Sequence, residues 1–252
     1  MKKLKIEKFG IEIDFKDPMV LILCALLVFL TGGTAIAAAS GVRANTYVIE
    51  LDAAYGGDAT GYEGIINEAE FTEKAVEAIA AALKADGHFT VKLTHEAGTS
   101  ASVEEKAEKV AKDSPDFLIS IHCAGLPDPA PGGMTIYPTI PTSESNETSL
   151  KLASSIQEAF TLDFWKPQVQ YLYYEPFGED AFQIKTVDTS DTTDYQLETW
   201  SLLEKVDVPA VVVEQIYCTN DGDVGYWYTE EGLKQIGELY VKALRKMTGI
   251  DQ

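Results

Sequence analysis

Two short runs, residues 117–121 (FLISI) and 210–213 (AVVV), are apolar at all but one position. Runs this short and this apolar are strands buried on both faces, the pattern of a parallel sheet whose crossover helices cover it above and below. The rest of the chain supplies the alternation such a sheet requires. Residues 47–51 and 89–93 read as strands. Residues 68–84 carry alanines and larger apolar residues at helical spacing, with Gly87 as a stop. Residues 102–112 read as a helix capped by Ser100 or Ser102, 134–137 as a short strand, 148–160 as a helix and 169–174 as a strand. Residues 195–203 read as a short helix and 230–247 as a closing helix. Residues 126–131 are a proline-rich loop, and 175–194 are polar and acidic with no usable period. The expectation is an α/β domain with a mostly parallel sheet covered by helices on both faces.

The domain, at 47–250, follows an N-terminal segment of different character. Residues 19–39 hold no charge, and 19–30 are continuously apolar. Twenty-one such residues are about enough to span a bilayer core. Lys2, Lys3, Lys5, Lys8 and Lys16 precede them, which keeps the leader, 1–18, in the cytoplasm and sends the rest across. The reading is a cell-membrane, single-pass chain with a linker at 40–46 and an extracytoplasmic domain. The alternative is secretion after signal cleavage, for which Ala35-Ile36-Ala37 offers an A-x-A site.

Charge narrows the partners. The chain carries 40 acidic and 20 basic residues, a formal net charge of −20. Such a surface repels phosphate backbones, so no nucleic acid is expected as a partner, and anionic wall polymers must be held by a specific site rather than by charge. A basic protein partner suits the acidity. Three cysteines make no disulfide framework. Cys123 and Cys218 read as buried thiols, with a bond between them as the alternative.

Ligands in open α/β sheets sit at the carboxyl ends of the strands. There the chain places Asp52-Ala53-Ala54-Tyr55-Gly56-Gly57 after the first strand, His122 after Ile119-Ser120-Ile121, and Glu214 after Pro209-Ala210-Val211-Val212-Val213; Glu68 opens the first helix. Imidazole and carboxylate are zinc ligands, and a further carboxylate serves as base toward a metal-bound water. Each residue also has a structural reading. His122 fits a hydrogen-bonded structural histidine, and Glu68 fits an acid favoured by the helix dipole. Glu214 is the most telling, because a carboxylate directly after a buried run is costly unless paired or functional. Tyr171-Leu172-Tyr173-Tyr174 and Tyr226-Trp227-Tyr228 suit either a cleft lining or core packing.

Taken in order, with Asn220 beyond Glu214, these segments resemble the zinc-dependent N-acetylmuramoyl-L-alanine amidases (amidase type 3). That family shows D-x-G-H-G-G after its first strand, a glutamate opening the first helix, S-I-H, and P-A-V-L-V-E. The resemblance spans residues 47–250. It implies Glu68 and His122 as zinc ligands, Glu214 as the catalytic carboxylate, and peptidoglycan as substrate, cut between N-acetylmuramic acid and L-alanine. The sequence departs from the pattern in one loop. Tyr55 stands where the family has its first zinc-binding histidine, Ala54 replaces the adjacent glycine, and the acid after the double glycine is Asp58, with Ala59 at the family's position. The candidate substitutes are Asp58 and His95. Three functional readings result: a zinc amidase with an unusual third ligand, an inactive amidase fold that binds peptidoglycan or a cell-wall partner, and a metal-free hydrolase using Glu68 and Glu214 as acid and base.

Overall fold

The structure, a computed structural model, describes residues 4–6, 11–13, 46–126, 132–178 and 181–250. The chain divides into two units, Met1–Asn45 and Thr46–Gln252. In the first, strands β1 (Leu4–Ile6) and β2 (Ile11–Ile13) pair antiparallel, Leu4 opposite Ile13. The anchor or signal segment expected at 19–39 and most of the linker at 40–46 lie outside the described residues. Among those described, no helix is long and apolar enough to cross a membrane.

The second unit runs β3 (Tyr47–Ala53), α1 (Glu68–Asp86), β4 (Phe89–Leu93), α2 (Val103–Asp113), β5 (Phe117–Ala124), β6 (Thr135–Pro138), α3 (Asn146–Phe160), β7 (Gln168–Pro176), β8 (Phe182–Asp188), α4 (Ser201–Lys205), β9 (Ala210–Tyr217), α5 (Asp221–Trp227) and α6 (Glu230–Thr248). The strands make one sheet in the order β4-β3-β5-β9-β6-β7-β8. The β3–β4, β3–β5, β5–β9 and β6–β7 pairs are parallel. β6 lies antiparallel to β9, and β8 antiparallel to β7. The sheet is therefore mixed, with its parallel part centred on the two apolar runs.

Alternation along those runs explains the burial on both faces. Ile119, Ile121, Val211 and Val213 join a core with Phe71, Ile79 and Leu83 of α1, Ile156 of α3 and Tyr240 of α6. Leu118 and Val212 point the other way, into a second core with Val110 of α2 and Leu202 and Leu203 of α4. Fully burying one such side chain contributes about 1.5–3 kcal/mol. Helix ends obey local chemistry. Asn67 caps α1 by accepting from the Glu70 N–H at 2.8 Å, and Gly87 ends it at φ +84°. Ser102 and Glu105 form a reciprocal capping box at the start of α2.

Three expectations need correction. The polar stretch 175–194 contains a strand, β8, held by its ladder with β7. The short helix is α4, beginning at Ser201 rather than at 195. β5 and β9 continue past Ile121 and Val213, so His122 and Glu214 lie within their strands instead of after them.

Candidate active site

The strand register brings the chemistry together. His122 on β5 stands opposite Glu214 on β9. Neighbouring strands lie about 4.8 Å apart, so the sheet itself fixes this pair. The ladder shifts register just beyond, between His122 and Cys123, a bulge that re-aims the last residues of β5. Glu68 enters from the first turn of α1 and is buried. Its Oε1 lies 3.1 Å from His122 Nδ1 and accepts from the Cys123 N–H at 3.0 Å. Its Oε2 accepts from the Tyr62 N–H at 3.1 Å. Cys123 and Cys218 are both free and buried.

Glu214 accepts a hydrogen bond from the Tyr137 hydroxyl at 2.9 Å. Burial pushes its carboxyl above the ordinary range; the Tyr137 bond and the nearby His122 oppose this, and Glu68 adds to it. Trp200, just ahead of α4, tilts against the His122 ring at 4.9 Å between centroids and against Tyr137 at 5.7 Å. Tyr174 of β7, Trp200 and His122 line a cavity of about 390 Å³ that also takes in Tyr55, Ala54 and Lys106. A roomier groove of about 940 Å³ runs between α1 and α6, but its floor is alanine and it holds none of this chemistry.

Tyr55 meets the His122 ring edge-on, 6.3 Å between centroids. Burial raises its phenol pKa, and the Glu68 charge raises it further. Gly61 lies between them at φ +69°; a Cβ there would fall 2.6 Å from the Tyr55 ring and 2.7 Å from Glu68 Oε2. Beneath this loop lies a buried polar network. Asp52 accepts from Thr94 at 2.5 Å and from Ser120 at 2.6 Å, and pairs with Lys106 at 2.9 Å. Lys106 also donates to the carbonyls of Ala53 and Ala54 at 3.0 and 2.8 Å, which pins the two residues before Tyr55.

The structure thus gathers Glu68, His122, Glu214 and Tyr55. It does not bring in the two candidate substitutes. Asp58 is exposed. His95 sits beside the Asp52 network, with Nδ1 3.0 Å from Thr94 Oγ1, and lines a different cavity. Of the aromatic segments, Tyr171, Tyr173 and Trp227 are core, and Tyr174 faces the cleft. Sequence reading missed Tyr137, Trp200 and Lys106. Only Lys106 left a signal: it shares the inward stripe of α2 with Val103, Ala107 and Val110, an odd place for a cation.

The zinc implied by the resemblance can be tested against these donors. A catalytic zinc keeps three protein ligands and an open position. Glu68 and His122 have the right chemistry. The position that the resemblance gives to the third ligand holds a phenol, whose pKa partial burial and Glu68 raise, and among the described residues no group of three His, Cys, Asp or Glu is assembled to hold a metal. The donor set does not fit a three-ligand catalytic zinc.

A family model described as N-acetylmuramoyl-L-alanine amidase matches residues 49–246. No curated protein sequence matches the chain. Among solved structures, an N-acetylmuramoyl-L-alanine amidase from Clostridium difficile 630 superposes with TM-score 0.63 at 18% identity, covering 82% of this chain and 100% of that one. The catalytic domain of CwlV, an N-acetylmuramoyl-L-alanine amidase from Bacillus (Paenibacillus) polymyxa var. colistinus, gives 0.61 at 15%, covering 81% and 99%. The CwlD amidase from Clostridioides difficile, solved in complex with the GerS lipoprotein, gives 0.56 at 16%, covering 82% and 100%. At these identities the superpositions establish the shared fold.

Proposed function

Since this chain belongs to the N-acetylmuramoyl-L-alanine amidase family, we propose that it is a peptidoglycan amidase-like protein whose cleft grips the wall polymer without hydrolysing it. One observation carries this reading. In the loop that should supply the third metal ligand, Tyr55 presents a phenol in place of an imidazole, edge-on to His122. What remains is a recognition site. Glu68 and His122 are locked together, Tyr174 and Trp200 supply flat apolar walls, and Ser100, Ser102 and Ser201 add polar groups to the lining. Pockets of this make-up orient amide and sugar groups by a few placed polar atoms.

The test uses purified sacculi and the full-length protein. Co-sedimentation is expected, weakened in Trp200→Ala, with no new L-alanine amino termini released. Release of those termini above a buffer control would overturn the reading.

A second reading is favoured by Glu214. A carboxylate drawn out of water is costly unless hydrogen-bonded or paired, and this half-buried one sits in register with His122 and bonded to Tyr137. As an amidase the protein would use Glu214 as base, and Glu214→Gln would abolish hydrolysis with the fold intact. We also propose an extracytoplasmic site of action, through an anchor or cleaved signal at 19–39. The apolar run and the lysines before it support this, and protease accessibility of the domain on intact spheroplasts tests it.

A further inference from the structure

β8 closes one edge of the sheet, and among the described residues no strand pairs with its outer side. Natural edge strands are blunted by charge, proline, bulges or brevity. β8 instead shows Phe182 and Ile184, 65% and 66% exposed, with Phe177 ahead of it 65% exposed. Register places Phe182 opposite Pro176 and Ile184 opposite Tyr174, so both lie on the side of the hairpin that carries Tyr174. The other side is already covered. Tyr195 packs against Tyr173 at 5.0 Å, and the Lys185 ammonium rests 4.3 Å above the Tyr195 ring.

The charge around the hairpin is mainly acidic. Asp188 ends the strand, and Asp191 and Asp194 follow it, Asp191 on the covered side with Tyr195; all three accept hydrogen bonds from neutral groups, those of Ser190, Thr193, Tyr195 and Gln196. Lys185, the lone base of the strand, is engaged with Tyr195 and lies 3.8 Å from Glu175. Anionic stem peptides would be repelled here, whereas a cationic segment would be drawn in.

We propose that the β8 edge is a docking strand for a protein partner. The partner supplies an extended segment of alternating apolar and basic residues. That segment adds to the sheet through its backbone, seats its apolar side chains on Phe182 and Ile184, and sets its cations against the aspartates. Main-chain bonding supplies affinity and the alternating pockets supply selectivity, the logic of strand addition. This goes beyond the cleft reading and does not depend on it.

The probe is a fluorescein-labelled peptide of alternating lysine and valine, titrated into the full-length protein at physiological salt and followed by anisotropy. Saturable binding is expected, weakened about tenfold or more in the Phe182→Ser, Ile184→Ser double variant. Both residues are exposed, so circular dichroism and the thermal midpoint should not change, and His122→Ala should bind the peptide like the parent. An N-methylated lysine–valine peptide, which keeps the charge but cannot form the ladder, should not bind. Equal binding by the N-methylated peptide, unchanged binding by the double variant, or protection of β8 by a muropeptide but not by the peptide would each overturn the proposal.

Discussion

Tyr55 decides what the cleft can hold. Partial burial and Glu68 raise its phenol pKa, which makes it a weaker metal donor than imidazole, while Glu68 and His122 are held by a helix start and a strand. Replacing the phenol with imidazole should therefore complete the donor set. Tyr55→His is expected to bind about one zinc per chain at micromolar metal, where the parent binds none, as read by metal analysis after dialysis. Glu50 makes a separate prediction. It is wholly buried, no hydrogen-bond donor reaches its oxygens, and burial lifts its pKa to about 7 against the attraction of Lys109. The unfolded chain ionises near the ordinary value while the folded chain stays protonated. Stability is thus undiminished below about pH 4.5 and falls as pH rises toward 7, by up to about 3 kcal/mol. Glu50→Gln should flatten that profile: little change at pH 4.5 in urea unfolding, and a clear gain at pH 8.

At the scale of elements, α2 is tied to β3 by two lysines, Lys109 beside Glu50 and Lys106 on Asp52. Lys106 satisfies Asp52 and two carbonyls of the loop at once. Lys106→Met should cost about 3–5 kcal/mol in urea unfolding, because it strands a buried carboxylate. Adding Asp52→Asn should cost less than the sum of the two single changes, since the residues share one network. Where elements meet the core, they are legible in the sequence. β4 and the starts of α1 and α6 fall where the periodicity puts them, because buried side chains impose their spacing. β8 is not legible, since its residues are mostly exposed and its order comes from pairing with β7. Nor is the reversed direction of β6, which rests on a four-residue strand with no pattern of its own. In the site, the residues at strand ends and at the start of α1 can be found because position betrays them. Tyr137 and Trp200 cannot, because an aromatic residue in a strand or before a helix reads as core until its neighbours are known.

For the whole molecule, a net charge of −20 sets the sign of its response to salt. A basic wall-binding protein loses grip as ionic strength rises. This one is repelled by an anionic polymer, and screening removes the repulsion over a Debye length that shrinks from roughly 30 Å at 0.01 M to about 8 Å at 0.15 M. Sacculus binding should therefore strengthen by about threefold or more between these salt levels, as read by co-sedimentation. A decline would mean that charge, rather than the cleft, makes the contact.

The pairing of His122 with Glu214 has a consequence for descent. These two residues and Glu68 are placed by a sheet ladder and a helix start, features that core packing preserves whether or not the site is used. The departure at position 55 lies in a loop, and every tyrosine codon differs from a histidine codon only at its first base. On the reading proposed above, in which position 55 lacks a metal donor, a lineage carrying this fold would stand one transition away from supplying it, with the rest of the apparatus kept in repair by folding alone.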